Sequence, residues 1–323
     1  MSAAQLIRFA DLIGRAALHE RLQELVRQHR LPPVLLFTGP PGVGKRSCAR
    51  ALAAWLNCVE APNAPDACGE CPPCRHTAAG TFADLLVVQA GGKKEMGIDR
   101  ARELRQFVSL EPVHGRQRIA LIEEAERLTV PAQNALLKVL EEPPPRAAIW
   151  LTTSTPDALL PTVRSRCQRV AVPPLPAASV QELLVERHGM PPDAARELAE
   201  VSEGSVGRAL ALRDLLPAEE RAAVLSAAQM LATRRYRDVL AFVEKLSQPE
   251  AKLQVKLEFF LAHSQAQARA AASPLARASA ARAAQIVFHA WQVLRDSYPN
   301  RTLLLEAMAL ELAEEMRCLW TSP

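Results

Sequence analysis

Residues 34–56, VLLFTGPPGVGKRSCARALAAWL, combine a short apolar run, a glycine-rich turn, a lysine and a helical segment. The turn fits the phosphate-binding pattern G-x-x-x-x-G-K-[ST], with Gly39, Gly44 and Lys45 at its defining places and Gly42 between them. Glycines allow backbone N–H groups to turn toward a phosphate, and the helix that opens at Lys45 adds its positive end. The pattern predicts a nucleotide site in which Lys45 contacts the β- and γ-phosphates.

The last place of this pattern departs from the usual chemistry. It normally carries a serine or threonine hydroxyl that coordinates Mg²⁺, whereas this chain has Arg46. A guanidinium has no lone pair to give to a metal, and its charge opposes one. We therefore expect that ATP or ADP, where either binds, is held by the loop backbone, Lys45 and Arg46, without efficient metal-assisted hydrolysis.

A second acidic site follows the apolar run IALI at residues 119–122. Working ATPases usually carry Asp-Glu at such a strand end, to orient the metal and its water, but the pair here is Glu123 and Glu124. The extra methylene of Glu123 moves its carboxylate by about 1 Å in a reaction that depends on position. We predict that both glutamates line the nucleotide pocket and that the pocket is poorly suited to hydrolysis. The alternative is an ordinary charged strand end.

Four cysteines, Cys58, Cys68, Cys71 and Cys74, follow the spacing C-x9-C-x2-C-x2-C. Four clustered thiolates suit a tetrahedral Zn²⁺ in a reducing compartment. One alternative is an iron–sulfur cluster, although Ala78 stands where the common ferredoxin run places its next cysteine, and the other is a set of buried thiols without metal. The segment has no room for a hydrophobic core, so we expect the zinc to be structural.

Composition limits the function classes. A chain of 323 residues is long enough for two or three domains, and its 49% apolar and 23% charged residues are typical of a globular protein. The net charge of +4 permits contact with nucleic acid, whereas only 4% aromatic residues disfavour a base-stacking platform. No uncharged apolar run reaches the roughly 18 residues of a membrane span. A signal-peptide pattern is missing at the start, so we expect a cytoplasmic protein without membrane contact.

The elements that must position these residues follow an α/β pattern. Apolar strands and amphipathic helices alternate as far as residue 172, which predicts a doubly wound parallel sheet. In the helix after the second strand, Asp99 is expected to be the N-cap. Only helical patterns follow Pro217. The predicted domains are residues 1–172 with a cysteine insertion at 58–74, a small helical domain at 173–217 and an all-α domain at 218–323.

Two further segments give the sequence a family resemblance. They are QNALLKVLEEPP at 133–144 and TTSTPDALLPTVRSRCQRV at 152–170. With DLIG at 11–14, the phosphate-binding loop, the cysteine insertion and NRTLLLEAMALEL at 300–312, the chain resembles the clamp-loader branch of the AAA+ ATPases over nearly its whole length. The resemblance implies an AAA+ P-loop domain, a small helical lid domain and a C-terminal all-α collar domain for oligomerisation. A zinc module in the cysteine insertion is also implied.

In that family the tripeptide at 165–167, Ser-Arg-Cys, acts in trans. The resemblance implies that Arg166 is an arginine finger that reaches the γ-phosphate in a neighbouring subunit. A planar and permanently charged guanidinium suits this role because it can bind two phosphate oxygens. The alternatives are that Arg166 is an ordinary surface arginine, or that Arg164 or Arg169 is the finger.

Two sensor positions complete the resemblance. Thr152 and Thr153 resemble the first sensor, a polar group at a strand tip near the γ-phosphate, and Thr153 is included in the predicted nucleotide site. Hydrolysing relatives carry an arginine in the lid where this chain has Gly207, with Arg208 one place later. Arg46, Glu123 and Gly207 thus all stand where hydrolysing members keep a catalytic group.

The resemblance implies a clamp-loader subunit of the replicative DNA polymerase III holoenzyme. Such a chain would not hydrolyse ATP itself and would donate Arg166 to a neighbouring ATPase subunit while the sliding clamp is loaded on primed DNA. The implied partners are gamma/tau ATPase subunits and a delta subunit in a hetero-pentameric ring, the sliding clamp and primed DNA. The alternatives are an active ATPase subunit of the gamma/tau type and a zinc-bearing DNA-binding scaffold with a relic ATPase fold.

Overall fold

The chain forms two compact units, residues 1–175 and 176–323. The computed structural model describes residues 6–61, 63–90, 95–233, 235–296 and 300–315. The first unit contains a five-stranded sheet, and the described part of the second is helical. The proposed subdivision of the second unit near residue 217 stays a prediction.

The sheet of the first unit is entirely parallel. Its strands are β1 (Val34–Thr38), β2 (Leu85–Val88), β3 (Arg118–Ile122), β4 (Ala147–Thr153) and β5 (Gln168–Ala171). They lie in the order β2-β3-β4-β1-β5, so that β1 is flanked by strands later in the chain. Every residue of β1, β3 and β4 is buried, as expected for strands covered on both faces. The predicted doubly wound parallel sheet is confirmed.

Helices cover both faces of this sheet. They are α1 (Ala16–Arg27), α2 (Lys45–Leu56), α3 (Pro72–Ala79), α4 (Ile98–Val108), α5 (Val130–Glu141) and α6 (Pro161–Arg164). Alternate residues of β1 point to opposite faces. Phe37 packs in the cluster that contains Trp55 of α2, whereas Leu36 packs in the cluster that contains Leu104 of α4 and Leu136 of α5. The sheet thus lies between two separate hydrophobic cores.

The start of α4 corrects one prediction. The helix has Gly97 at its N-cap, in extended conformation, and Asp99 lies inside the first turn. The Asp99 side chain accepts a hydrogen bond from Nη1 of Arg102 at 3.1 Å and does not cap the helix. A carboxylate in the first turn still favours the helix through the macrodipole. The prediction placed the helix start too late.

The second unit is a bundle of helices. They are α7 (Ala177–His188), α8 (Pro192–Val201), α9 (Val206–Leu215), α10 (Ala218–Met230), α11 (Tyr236–Ser247), α12 (Leu253–Ala270), α13 (Pro274–Asp296) and α14 (Arg301–Glu315). Phe242, Phe260 and Leu305 lie in the core shared by α10 to α14. Arg221 of α10 is buried and donates to Glu197 of α8 at 2.9 Å, which ties the first helices of this unit to the bundle. None of the helices that the structure describes is both long and apolar enough to span a bilayer.

A buried carboxylate fixes the loop that leads into β3. Asp84 is fully buried, and it accepts hydrogen bonds from the backbone N–H groups of Val113, His114 and Gly115 at 2.8, 2.7 and 2.6 Å. Nε of Arg118 lies 3.5 Å from the same carboxylate. Burial alone raises the pKa of Asp84, but the three N–H groups and the Arg118 guanidinium outweigh burial and hold the pKa below its usual value.

We expect Asp84→Asn to lower the free energy of unfolding at pH 7 by about 2–4 kcal/mol, because an amide cannot satisfy three buried donors and Arg118 as a carboxylate does. The folded-state pKa of Asp84 lies below the unfolded value of about 4, so its contribution is full above that pH and is lost as the pH falls through the folded-state pKa. Denaturant unfolding of both proteins from pH 7 to pH 3 measures the difference, which should shrink below about pH 4. The exposed Asp99→Asn is the matched control, and equal stability of Asp84→Asn and wild type at pH 7 would contradict the assignment.

Candidate functional site

The glycine-rich loop connects β1 to α2 at the carboxyl end of the sheet, where parallel α/β folds bind ligands. A Cβ at position 39 would lie 2.2 Å from the carbonyl oxygen of Val172, so no residue with a side chain fits in place of Gly39 without a shift of the backbone. Gly44 is the N-cap of α2 and has a φ of 96°, and Gly42 has a φ of 71°. Positive φ favours glycine at both places. The loop therefore has the local geometry that the sequence pattern predicts.

Lys45 is folded back onto the loop. Its ammonium group donates to the carbonyl oxygens of Gly39 and Pro40, both at 2.7 Å, and to Oγ of Ser154 at 2.9 Å. Burial lowers the pKa of Lys45, and the nearby carboxylate of Glu126 partly offsets this effect. Each of the three ammonium protons thus has an acceptor within the protein. A phosphate could reach Lys45 only by replacing some of these contacts.

The carboxylate of Glu123 lies at the end of β3 and is almost completely buried, with 1% of the side chain exposed. Its Oε2 accepts from Nη1 of Arg46 at 3.1 Å, and its Oε1 accepts from Nε and Nη2 of Arg50 at 3.0 and 2.8 Å. Arg46 and Arg50 are four residues apart on α2 and therefore share one face of the helix. Both oxygens of Glu123 are occupied by guanidinium groups, so a divalent cation would have to displace them.

Glu124 turns the chain sharply after the strand. Its φ is 54°, a left-handed conformation that is strained for a residue with a side chain. Its backbone N–H donates to Oγ1 of Thr152 at 3.2 Å. Its carboxylate lies 3.5 Å from Nη2 of Arg46 and 3.1 Å from Nη1 of Arg127. Arg46 thus bridges both glutamates of the acidic strand end.

The tip of β4 carries three consecutive hydroxyl groups, of which the third contacts the loop lysine. Thr153 pairs with Thr38 of β1 and is fully buried, and its Oγ1 accepts from the N–H of Thr155 at 3.2 Å. Oγ of Ser154, one residue later, accepts a hydrogen bond from Nζ of Lys45. The structure therefore places Thr153 beside the pocket without a contact to Lys45, and Ser154 is the polar group that sequence reasoning missed.

Arg15 braces the loop from outside. It is buried, and its guanidinium donates to the carbonyl oxygen of Val43 and, at 2.8 Å, to that of Pro173. Burial lowers the pKa of Arg15, which nevertheless stays charged at neutral pH. Arg15 directly follows the DLIG segment but was not predicted to contact the loop.

The four cysteines of the insertion converge, with all their sulfur atoms within 4.8 Å of one another. The Sγ atoms of Cys58 and Cys71 are 3.9 Å apart, and those of Cys68 and Cys74 are 4.0 Å apart. A tetrahedral Zn²⁺ with Zn–S bonds of about 2.3 Å requires S···S distances of about 3.8 Å. The backbone N–H groups of Cys71 and Glu70 lower the pKa of Cys68 to about 7, whereas burial raises the pKa of Cys58 and of Cys74. The donor set therefore fits a tetrahedral metal ion bound by thiolates.

The cysteine insertion also holds the N-terminal segment. The carboxylate of Asp66 accepts hydrogen bonds from the backbone N–H groups of Phe9 at 3.0 Å and Ala10 at 2.8 Å. The ring of Phe9 packs edge-on against Trp55 near the end of α2, with ring centroids 5.8 Å apart. The segment that leads to Arg15 is thus anchored on the insertion.

Arg166 follows α6 and stands apart from the contacts of the phosphate loop. Its Nη1 donates to the carbonyl oxygen of Thr162 at 3.0 Å, and its Nη2 donates to Oε2 of Glu141 at 3.2 Å. About a third of the side chain is exposed, 32%. Its Nε is buried and has no partner among the described residues. The guanidinium is therefore held on the surface by one carbonyl and one exposed carboxylate.

The two neighbouring arginines have other partners. Arg164, the last residue of α6, pairs with Asp157, seven residues earlier in the chain. On β5, Arg169 donates from Nε to Oγ1 of Thr38 at 2.9 Å, toward the end of β1. Arg208 of the second unit pairs with Glu203. Each of these three side chains is committed to a local partner.

Known proteins are similar to this chain. Residues 14–176, half of the chain, match the family described as DNA polymerase III, delta subunit. The delta' subunit of DNA polymerase III from Pseudomonas aeruginosa is 39% identical over 198 residues, which are 61% of this chain and 60% of that protein. The tau/gamma subunit from Haemophilus influenzae is 35% identical over 211 residues, 64% of this chain and 30% of that protein. The chain thus spans between about a third and three fifths of these curated relatives.

A solved structure, a gamma-subunit-related DNA polymerase III protein from Thermotoga maritima, is 19% identical with a TM-score of 0.45, and the match covers 93% of this chain and 100% of that one. The family match spans the loop, both glutamates, the cysteine cluster and Arg166, which are the features described above. The chain belongs to the DNA polymerase III delta subunit family, within the clamp-loader branch of the AAA+ ATPases.

Proposed function

We propose that this chain is a clamp-loader subunit that does not hydrolyse ATP itself and that completes the ATP site of a neighbouring subunit. The observation that carries the proposal is the pairing of the buried Glu123 carboxylate with Arg46 and Arg50. In a hydrolysing site this carboxylate orients a metal ion and its water. Here two cationic side chains of the same protein occupy it.

The charges explain why Mg²⁺ competes poorly. A divalent ion at this place would have to break the contacts of Glu123 with two guanidinium groups and then tolerate them nearby. It would also lack a hydroxyl ligand, because residue 46 is an arginine. The proposal leaves room for ATP or ADP on the loop backbone, once Lys45 exchanges its contacts with the protein for phosphate oxygens. Splitting of that nucleotide is not expected.

The catalytic contribution is assigned to Arg166, in trans. Arg166 is the arginine of the family's Ser-Arg-Cys element, and its guanidinium is held by the Thr162 carbonyl and the exposed Glu141 carboxylate. An arginine supplied by a second protein stabilises the charge on a transferring γ-phosphate and accelerates such reactions by about 10³- to 10⁵-fold. This proposal assigns the reacting phosphate and its metal to the neighbour.

The partners follow from the family. The relatives are named as delta' and gamma/tau subunits of DNA polymerase III. We propose that the chain joins gamma/tau ATPase subunits and a delta subunit in a hetero-pentameric ring through its C-terminal helices. The ring would load the sliding clamp on primed DNA in the cytoplasm.

Zn²⁺ is the proposed metal of the cysteine cluster. Cys58, Cys68, Cys71 and Cys74 would hold it, and four thiolates leave no open position for a substrate. The ion would therefore stabilise the insertion and supply no reaction chemistry. Through Asp66, the stabilised insertion would also hold the N-terminal segment in place.

Arg166→Ala should assemble normally with its partners and slow ATP hydrolysis at the adjoining site by about 10³-fold, because the transition-state charge loses its cation. Single-turnover hydrolysis by the reconstituted ring, with clamp and primed DNA, measures the effect. Arg164→Ala is the matched control and should behave as the wild type. Unchanged hydrolysis in Arg166→Ala would refute the role in trans.

The purified chain alone should not turn over ATP, and its affinity for nucleotide should be the same with Mg²⁺ as with EDTA, because Glu123 is already paired. Phosphate release and titration with a fluorescent nucleotide test both statements. Lys45→Ala is the control for contaminating ATPases, because their ATP turnover does not depend on Lys45. Mg²⁺-dependent turnover that disappears in Lys45→Ala would instead identify an active ATPase of the gamma/tau type.

Metal analysis should find one zinc per chain, removable by a strong chelator. Removal should speed hydrogen exchange of the Phe9 and Ala10 amides by about tenfold or more, since their acceptor Asp66 belongs to the insertion. The amide of Ile149 in the central strand β4 is the internal control and should not change. Iron in place of zinc, or unchanged exchange at Phe9 and Ala10 in the metal-free chain, would contradict this assignment.

A further inference from the structure

Two groups hold the Arg166 guanidinium from different elements of the first unit. The carbonyl oxygen of Thr162 in α6 accepts from Nη1, and the carboxylate of Glu141 accepts from Nη2. Each of these nitrogens carries a second N–H. Those two protons are left for an acceptor outside the chain, while the two anchored protons limit the rotation of the guanidinium plane.

The helices next to this contact, α5 and α6, are joined by a buried side chain. Glu141 is the last residue of α5, which packs against α6. Buried Gln133 of α5 accepts from the N–H of Leu160 at 2.8 Å and donates to the carbonyl of Leu128 at 3.0 Å. The start of α5 and the turn before α6 are therefore joined by a buried side chain. Glu141 thus ends a helix that packs against α6, the helix directly before Arg166.

Helix physics gives no local reason for a carboxylate at this place. The C-terminal end of a helix carries partial negative charge, which disfavours an anion there. Glu141 nevertheless closes α5, and its side chain is more than half exposed. Its ion pair is with Arg166. The residue is thus better explained by what it does to the guanidinium than by what it does for its own helix.

We propose that Glu141 is a positioning residue for Arg166. The proposal rests on the role of Arg166 in trans. A long arginine side chain samples many rotamers, so ordering it costs conformational entropy. If the side chain is already ordered when the phosphate arrives, that entropy is not lost in the reaction step. Glu141, together with the Thr162 carbonyl, keeps the guanidinium in one orientation, with its remaining N–H groups available to the neighbour's γ-phosphate.

The test uses the reconstituted ring with clamp and primed DNA. Glu141→Ala should lower the rate constant of hydrolysis at the adjoining site by about three- to tenfold, with little change in the KM for ATP, because an exposed ion pair of this strength orients but does not bind substrate. Glu141→Gln retains a carbonyl acceptor and should restore part of the rate. Glu142→Ala removes the neighbouring exposed glutamate and is the matched control. Size-exclusion chromatography confirms that each variant enters the ring.

A double substitution separates positioning from a structural effect. In the Arg166→Ala background, Glu141→Ala should have no further effect, since there is no guanidinium left to orient. An equal loss in both backgrounds would overturn the proposal, as would a Glu141→Ala ring that is as fast as the wild type or faster. A ring that is unaffected by Arg166→Ala would instead refute the role in trans on which the proposal rests.

Discussion

The pairing of one buried carboxylate with two arginines is the constraint on which the nucleotide pocket depends. Glu123 is removed from water at the end of a central strand, and an ionised carboxylate there requires compensating charge. In a metal-dependent site a divalent ion supplies it. Here Arg46 and Arg50, one helical turn apart on α2, supply two positive charges that are part of the chain. The two unusual residues of the pocket, Arg46 and Glu123, therefore compensate each other's charge.

The residues of the pocket also connect several elements of the first unit. Lys45 is satisfied by its own loop, and Arg15 holds the same loop through the Val43 carbonyl. At the other end of α2, the chain enters the cysteine cluster, whose Asp66 anchors the segment that leads to Arg15. The loop, the helix, the insertion and the N-terminal segment thus form a closed circuit of contacts.

The sequence alone predicts the parts of this arrangement that depend on local pattern. The parallel sheet and the positive φ of the loop glycines follow from periodicity and spacing, and the structure shows both, whereas the contact of Lys45 with phosphate stays a prediction. The partners of a buried charge depend instead on helix phase and strand ends, so Arg50 was missed. Likewise, the contact of Lys45 with Ser154 depends on where β4 ends beside β1. Three consecutive hydroxyl residues in the sequence do not reveal that register. Asp99 failed as a cap because the chain becomes helical directly after Gly97.

The burial of the paired carboxylate distinguishes Arg46 and Arg50 from Arg166, the arginine assigned to catalysis in trans. Withdrawing Arg46 or Arg50 leaves a buried carboxylate short of charge, which is strongly unfavourable. Arg166 is paired with an exposed glutamate, and exposed pairs are worth only about 0–1 kcal/mol, since water solvates either partner after separation. Sharing or exchanging that partner for a phosphate therefore costs little. The contacts of Arg166 with Glu141 and the Thr162 carbonyl can therefore orient the guanidinium and still be exchanged at little cost, whereas Arg46 and Arg50 are tied to a buried carboxylate.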